Sequence, residues 1–172
     1  KILVLAHRWK PTVPDIESDL YLARIRGDGT FDPTFDGDGR LISDPLHGLE
    51  IPRAMALQKD GKIVVAGIVQ NAPGGFNIVD GFVARYLSNG ARDTTFGAGA
   101  RAIRVDLGIL DELQDILVQP DGEIVVAGFS TALDGLNRLV LARFKPSGLP
   151  DLPFGGANVG SVQTLIGGDG AN

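Results

Sequence analysis

Apolar residues come in short runs along this chain, and the runs recur at a fixed interval. "KILVLA" (1–6), "KIVVAG" (62–67) and "EIVVAG" (123–128) begin 61 positions apart. The last two sit in longer phrases, "QKDGKIVVAGI" (58–68) and "QPDGEIVVAGF" (119–129), where Asp-Gly precedes the run. Asp-Gly between apolar stretches predicts a tight hairpin, because both residues tolerate the positive φ that such a turn demands. Within the phrases the apolar residues are nearly continuous rather than alternating, so both faces of these strands are expected to be buried. One window with helical character, "LGILDELQDILVQ" (107–119), falls where the repeat requires a strand. No long stretch with apolar residues at i, i+3, i+4 and i+7 is free of Gly or Pro.

A second set of runs follows each phrase: "YLARI" (21–25), "FVARY" (82–86) and "VLARF" (140–144). Each holds an Arg (Arg24, Arg85, Arg143), with a Gly five residues later (Gly29, Gly90, Gly148), an Asp eight later (Asp32, Asp93, Asp151) and a Phe eleven later (Phe35, Phe96, Phe154). One period therefore predicts four strands, at about 114–119, 123–129, 138–144 and 160–166 in the last copy, linked as an antiparallel meander. Four strands per unit, a long period and doubly buried central strands predict an all-β protein built of β-propeller blades, each blade stacked between two others. A β-solenoid is the alternative, though its coils are usually shorter and lack this hairpin rhythm. The repeats run 1–61 (first strand missing), 62–122 and 123–172 (incomplete), about three four-stranded blades in one repeat domain. Propellers close with about four to eight blades. The chain is accordingly expected to be part of a larger propeller, with further blades from the same chain or from a second copy.

Composition narrows the function. The net charge of −5 gives nothing that favours a nucleic-acid backbone or an anionic membrane surface. The absence of cysteine excludes disulfides, thiolate metal sites and cysteine nucleophiles. Apolar runs are far shorter than the roughly 20 residues a membrane helix needs, so no membrane insertion is expected. The abundance of glycine (24) and proline (10) fits a turn-rich β protein.

The repeated Arg and Asp have two readings. An unpaired Arg on an apolar strand would be costly, so each Asp across the turn is a plausible ion-pair partner or turn cap, and the Phe fills the gap between blades. The other reading is a ligand platform repeated in each blade. With these residues in place, the chain resembles the delta-60 repeat, whose pattern Q-x-DG-K-I-x-V-x-G followed by A-R-x-x-x-x-G-x-x-D-x-x-F-G-x-x-G covers essentially its whole length. The resemblance implies a propeller-like array in a large secreted or surface-associated bacterial protein, with no common enzymatic activity. Asp36 departs from it by replacing the Gly after Phe35, and Gly156-Ala157-Asn158 disturbs the third copy.

Other candidate chemistry is sparse, and no cofactor is implied. His7 and His47 are the only histidines, and neither has a repeated Ser or acid around it for a triad. Asp36 and Asp38 in "DGDG" resemble part of a calcium loop, but His47 stands where the closing acid of an EF-hand would be. "RGD" (26–28) reads as an adhesion tripeptide or as a plain turn. Between the second and third strands the copies diverge, at 7–19, 68–80 and 129–138, and these loops carry Trp9 and Phe76. An aromatic on a loop can stack on a sugar or anchor a protein partner, or it can fold back on its own blade. The reading that follows is a non-enzymatic scaffold binding an unidentified protein or glycan. Its alternatives are part of a propeller hydrolase or lyase whose catalytic blades lie elsewhere, and a self-assembling structural protein.

Overall fold

The computed structural model describes residues 1–11, 16–70, 79–99, 102–156 and 160–165, which form eleven strands and one 3-10 turn at Phe96–Gly99. Strands β1 (Ile2–Pro11), β2 (Ile16–Ile25) and β3 (Arg40–Ser43) pair antiparallel as a first group. The second is the meander β4 (Leu49–Leu57), β5 (Ile63–Gln70), β6 (Val79–Tyr86) and β7 (Ile103–Val105). The third repeats it with β8 (Leu110–Val118), β9 (Ile124–Thr131), β10 (Asn137–Phe144) and β11 (Ser161–Leu165). Neighbouring groups are joined in the sheet by one parallel pairing each, Ser18 with Leu49 and Val79 with Leu110. Each group is one blade.

Alternation along β5 and β6 explains why three blades cohere. Ile63, Val65, Phe82, Ala84 and Tyr86 point toward the first blade and pack with Leu20, Leu22 and Phe35. Val64, Ala66 and Val83 point the other way and pack with Leu113, Ile116, Ile124, Val126 and Phe144 of the third blade. Because successive side chains of a strand leave on opposite faces, one continuous apolar run supplies both interfaces. The expected double burial is complete only here. β5 is buried almost throughout, β9 alternates between buried and partly exposed, and β1 is mostly exposed. The difference is one of position, since the first and third blades have a described neighbour on one face only.

Several boundaries differ from the sequence expectation. β8 starts at Leu110 rather than 114, and a bulge between Leu113 and Asp115 lets the extra residues pair with Gly128–Thr131. The helix-like window 107–119 is thus largely strand. The first of the segments expected to be loops between second and third strands is mostly ladder: β1 runs on to Pro11 and β2 begins at Ile16, so His7 and Trp9 lie within a strand. Backbone pairing continues past the apolar run because the ladder bonds use main-chain groups, whatever the side chains. Phe76 lies outside the described residues.

The Gly that ends "IVVAG" has a specific cause. Gly67 and Gly128 face the bulges of β4 and β8, where the neighbouring backbone comes very close. A Cβ on Gly67 would stand 2.3 Å from the Ile51 carbonyl oxygen, and one on Gly128 would stand 1.9 Å from that of Glu112. Gly128→Ala should therefore destabilise the chain by about 3 kcal/mol, the upper end for overpacking, because a backbone carbonyl cannot yield as a side chain would. Gly27→Ala, with nothing within 4 Å of its Cβ position, should stay within about 0.5 kcal/mol. Urea unfolding of the two variants measures the contrast.

Candidate functional site

A meander puts successive connections at alternate ends. The β4–β5, β6–β7, β8–β9 and β10–β11 connections share one end of the blades, here the turn end. The β5–β6, β7–β8 and β9–β10 connections share the other, the loop end.

The repeated polar residues lie at the turn end and form one clamp per blade. Nε of Arg24, Arg85 and Arg143 donates to Oδ2 of Asp32, Asp93 and Asp151 at 2.8, 2.9 and 2.7 Å. Each guanidinium lies over the Phe eleven residues on, at 5.0, 4.4 and 4.6 Å from the centroids of Phe35, Phe96 and Phe154. The clamp also crosses to the next blade. Nη1 of Arg24 donates to the Ser88 carbonyl, and Nη1 of Arg85 donates to that of Pro146 at 2.5 Å. The amide after each Phe does the same, Asp36 to Asn89 at 2.7 Å and Gly97 to Ser147 at 2.9 Å. Asp36 holds φ at +47° and Gly97 at +59°, so the residue after the Phe adopts the left-handed backbone in both copies, and an Asp is tolerated there. Gly148 packs on the Phe96 ring so closely that a Cβ would lie 2.6 Å from it.

Charge within the clamp is tightly held. Burial opposes ionisation of Asp93, but hydrogen bonds from the Thr95 hydroxyl and amide, together with Arg85 and Lys62, outweigh it and hold the carboxyl down to about 2. Asp32 is likewise held far below the usual carboxylate range, first by Lys1, whose Nζ lies 2.7 Å away. Lys62 occupies the position of Lys1 and sits 3.4 Å from Asp93. In the third blade that position is Glu123, which pairs instead with Arg143 at 2.8 Å. Arg143 also places its Nη2 2.6 Å from Asp151 Oδ2.

The remaining candidates are dispersed. Asp38 accepts the amide, Nε and Nη2 of Arg40. His7 contacts Ser18 Oγ at 3.3 Å, and His47 Nδ1 lies 2.9 Å from Asp44 Oδ2. "RGD" sits in an exposed turn at the turn end, with Asp28 Oδ1 accepting from the amide and hydroxyl of Thr30. Trp9 is 52% exposed on the open edge formed by β1.

Sequence reasoning did not single out the acids at the loop end. Asp80 is the second residue of β6, Asp106 follows β7 and Asp111 is the second residue of β8; each offers an oxygen, and the three oxygens lie within 4.8 Å of one another. Asp80 and Asp111 are buried and Asp106 is exposed. Asp111 Oδ2 accepts the amides of Leu107 at 2.6 Å and Gly108 at 3.1 Å, and Asp80 Oδ2 accepts from Arg104. The other oxygen of each, Oδ1, is buried without a hydrogen-bond partner. The corresponding junction between the first two blades carries Asp19, Asp44 and Glu50. There Asp44 turns to His47, and Glu50 Oε1 accepts the amides of Leu46 at 3.0 Å and Gly48 at 3.2 Å. Burial, followed by the charge of Asp44, pushes Glu50 up to about 7. The signal in the sequence was two pairs of acids spaced 61 apart, Asp19 with Asp80 and Glu50 with Asp111.

Four-stranded antiparallel sheets stacked face to face through doubly apolar central strands define a β-propeller, represented here by an open run of blades. The chain belongs to the family described as a beta-propeller domain of unknown function, DUF5122, which matches residues 12–35, 58–96 and 119–154. Each matched segment ends on the phenylalanine of a clamp, Phe35, Phe96 or Phe154; Asp106 and Asp111 fall outside them. No curated protein matches the chain. Among the described residues, no helix is long and apolar enough to cross a membrane.

Two outcomes follow from these geometries. Arg85→Ala leaves Asp93 buried without its guanidinium partner and should cost about 3–5 kcal/mol by urea denaturation. Arg143→Ala should cost less than half as much, because Arg143 is 27% exposed against 5% for Arg85. For Glu50 the raised value means that the folded state favours the protonated acid. Its stabilising effect is full below the ordinary value of 4.5 and is lost as pH rises through about 7. The melting temperature should accordingly fall between about pH 4.5 and 7 in the parent chain and level off above that range, and the slope should flatten in Glu50→Gln, each pKa unit being worth about 1.4 kcal/mol.

Proposed function

We propose that this chain is a scaffold segment of a secreted or cell-surface bacterial protein, and that its loop end binds a protein or carbohydrate without chemical turnover. The observation that carries this reading is the division between the two ends. The repeated polar residues are engaged at the turn end in holding blade to blade, while the residues that differ between blades gather at the loop end. A rigid scaffold with variable connections is the usual setting for recognition. The likeness to delta-60 repeats, with their surface-associated bacterial setting, supports the same reading.

The loop end of the third blade offers a cleft of about 810 Å³ bordered by Ile109, Leu133, Asp134 and Gln163. Leu133 is 93% exposed beside polar groups, the mixture that suits the apolar face and hydroxyl rim of a sugar ring or a small peptide loop. Trp9 adds an exposed aromatic toward the loop end of the first blade.

A glycan array probed with the parent chain, Leu133→Ser, Trp9→Ala and the turn-end variant Lys59→Ala tests the assignment. A bound glycan should be lost by about tenfold or more in Leu133→Ser or Trp9→Ala, and kept in Lys59→Ala. Binding that survives both loop-end changes, or that is abolished by Lys59→Ala, would count against a loop-end site.

A further inference from the structure

We propose that Asp80, Asp106 and Asp111 hold a calcium ion at the loop end, between the second and third blades. The three carboxylates come from different elements, β6, the β7–β8 connection and the start of β8, and only the fold brings their oxygens within 4.8 Å. Two of the acids are nearly inaccessible, Asp80 at 3% and Asp111 at 1% exposed, and each keeps a buried Oδ1 without a hydrogen bond. Buried carboxylate oxygens are normally paired or bound to a metal, because leaving them bare is costly.

A separate observation comes from the neighbouring strand. Ser130 stands opposite Asp111 in the β8–β9 ladder, is 0% exposed, and its hydroxyl has no partner. The hydroxyl is close to the β7–β8 connection: a Cβ on Gly108 would lie 2.4 Å from Ser130 Oγ, and the Gly108 amide donates to Asp111 Oδ2. A neutral buried oxygen with its lone pairs unused therefore stands beside the connection that Asp111 holds. The first junction lacks this feature, because Val69 replaces Ser130 across from Glu50 and His47 engages Asp44.

The chemistry of the set selects the ion. Every donor is a hard oxygen, with neither imidazole nor thiolate, which favours calcium or magnesium over zinc or copper. Three carboxylates against the guanidinium of Arg104, bound to Asp80 Oδ2, leave a formal charge of −2, matched by a divalent cation. Calcium accepts six to eight ligands at about 2.3–2.6 Å, so two oxygens on opposite sides of it stand up to about 5 Å apart; magnesium requires a tighter octahedron near about 2.1 Å. The exposed Asp106, which also borders the loop-end cleft, gives the ion an entry route and leaves room for waters to complete its shell. The bound ion would bridge the second blade to the third beside the ladder pairing of Val79 with Leu110.

The test titrates calcium chloride into the chelator-stripped chain, by isothermal calorimetry and thermal melting, with magnesium chloride in parallel. We expect saturable binding of one calcium per chain and a melting temperature that rises with occupancy. Asp106→Asn is exposed and isosteric, so its metal-free melting temperature should be unchanged or higher, while its calcium affinity falls by about tenfold or more. Asp38→Asn, in the "DGDG" turn, should bind calcium as the parent does. Absence of saturable binding, an unaltered affinity in Asp106→Asn, or a loss in Asp38→Asn would overturn the site. Equal affinity for magnesium would overturn the choice of ion.

Discussion

The sheets in this protein are too thin to stand alone. A blade of four short strands with an apolar run through its middle strands must cover both faces, and a single sheet has no second layer of its own to do so. Here each blade is covered by the next, and the alternation of Ile63 and Val65 against Val64 and Ala66 divides one run between two cores. The other features serve this stacking. The glycines of "IVVAG" admit the bulged inner strand, the Arg–Asp–Phe clamp fastens the rim, and the hairpin turns at "KDG" and "PDG" keep the strands in register.

The clamp joins local and long-range order in one group of atoms. The Asp fixes the turn of its own blade and orients the guanidinium, the guanidinium covers the Phe, and the remaining nitrogen reaches the main chain of the neighbouring turn. Arg suits this place because its planar fork can serve an ion pair, a ring face and a carbonyl at once, which a lysine ammonium cannot. Among the described residues, the loop end repeats its acids only in part, with Asp19 matching Asp80 and Glu50 standing where Asp111 does. Its acids follow a shared plan at the two junctions but differ in detail: each junction leaves buried oxygens unpaired, Glu50 Oε2 at the first and Oδ1 of Asp80 and Asp111 at the second, but Glu50 is packed beside Asp44 and drawn toward the neutral form.

Much of this architecture was legible in the residues because it is periodic. The hairpin phrase and the Arg, Gly, Asp and Phe offsets place blade and clamp partners without reference to coordinates, and the helix-like 107–119 was outweighed by its place in the repeat. The acid cluster was hidden for two physical reasons. Asp80, Asp106 and Asp111 converge through contacts between blades, which no local spacing encodes. Moreover, the connection before β8 is one residue shorter than that before β4, so the periodicity fails there. Edge effects were also invisible. The same "VVAG" letters are buried in β5 and half-open in β9, because exposure is set by what lies on the far side. Trp9 looked like a loop residue because polar neighbours and prolines surround it, yet the ladder extends beyond it to Pro11 and Ile16.

The third blade's glutamate has a consequence for assembly. Tandem units with near-identical hairpins are prone to exchanging places during folding, since a segment from one unit can dock where its sibling belongs. Lys62 faces Asp93 in the middle blade, whereas Glu123 faces Arg143 in the last. A hairpin from the third unit lodged in the second would exchange the Lys62–Asp93 pair for a Glu123–Arg85 pair, the contact that Glu123 already makes with Arg143 in its own blade. The sign inversion at this one position thus moves the hairpin's ion pair from the carboxylate of the clamp to its guanidinium, so that each unit closes with its own charge pattern.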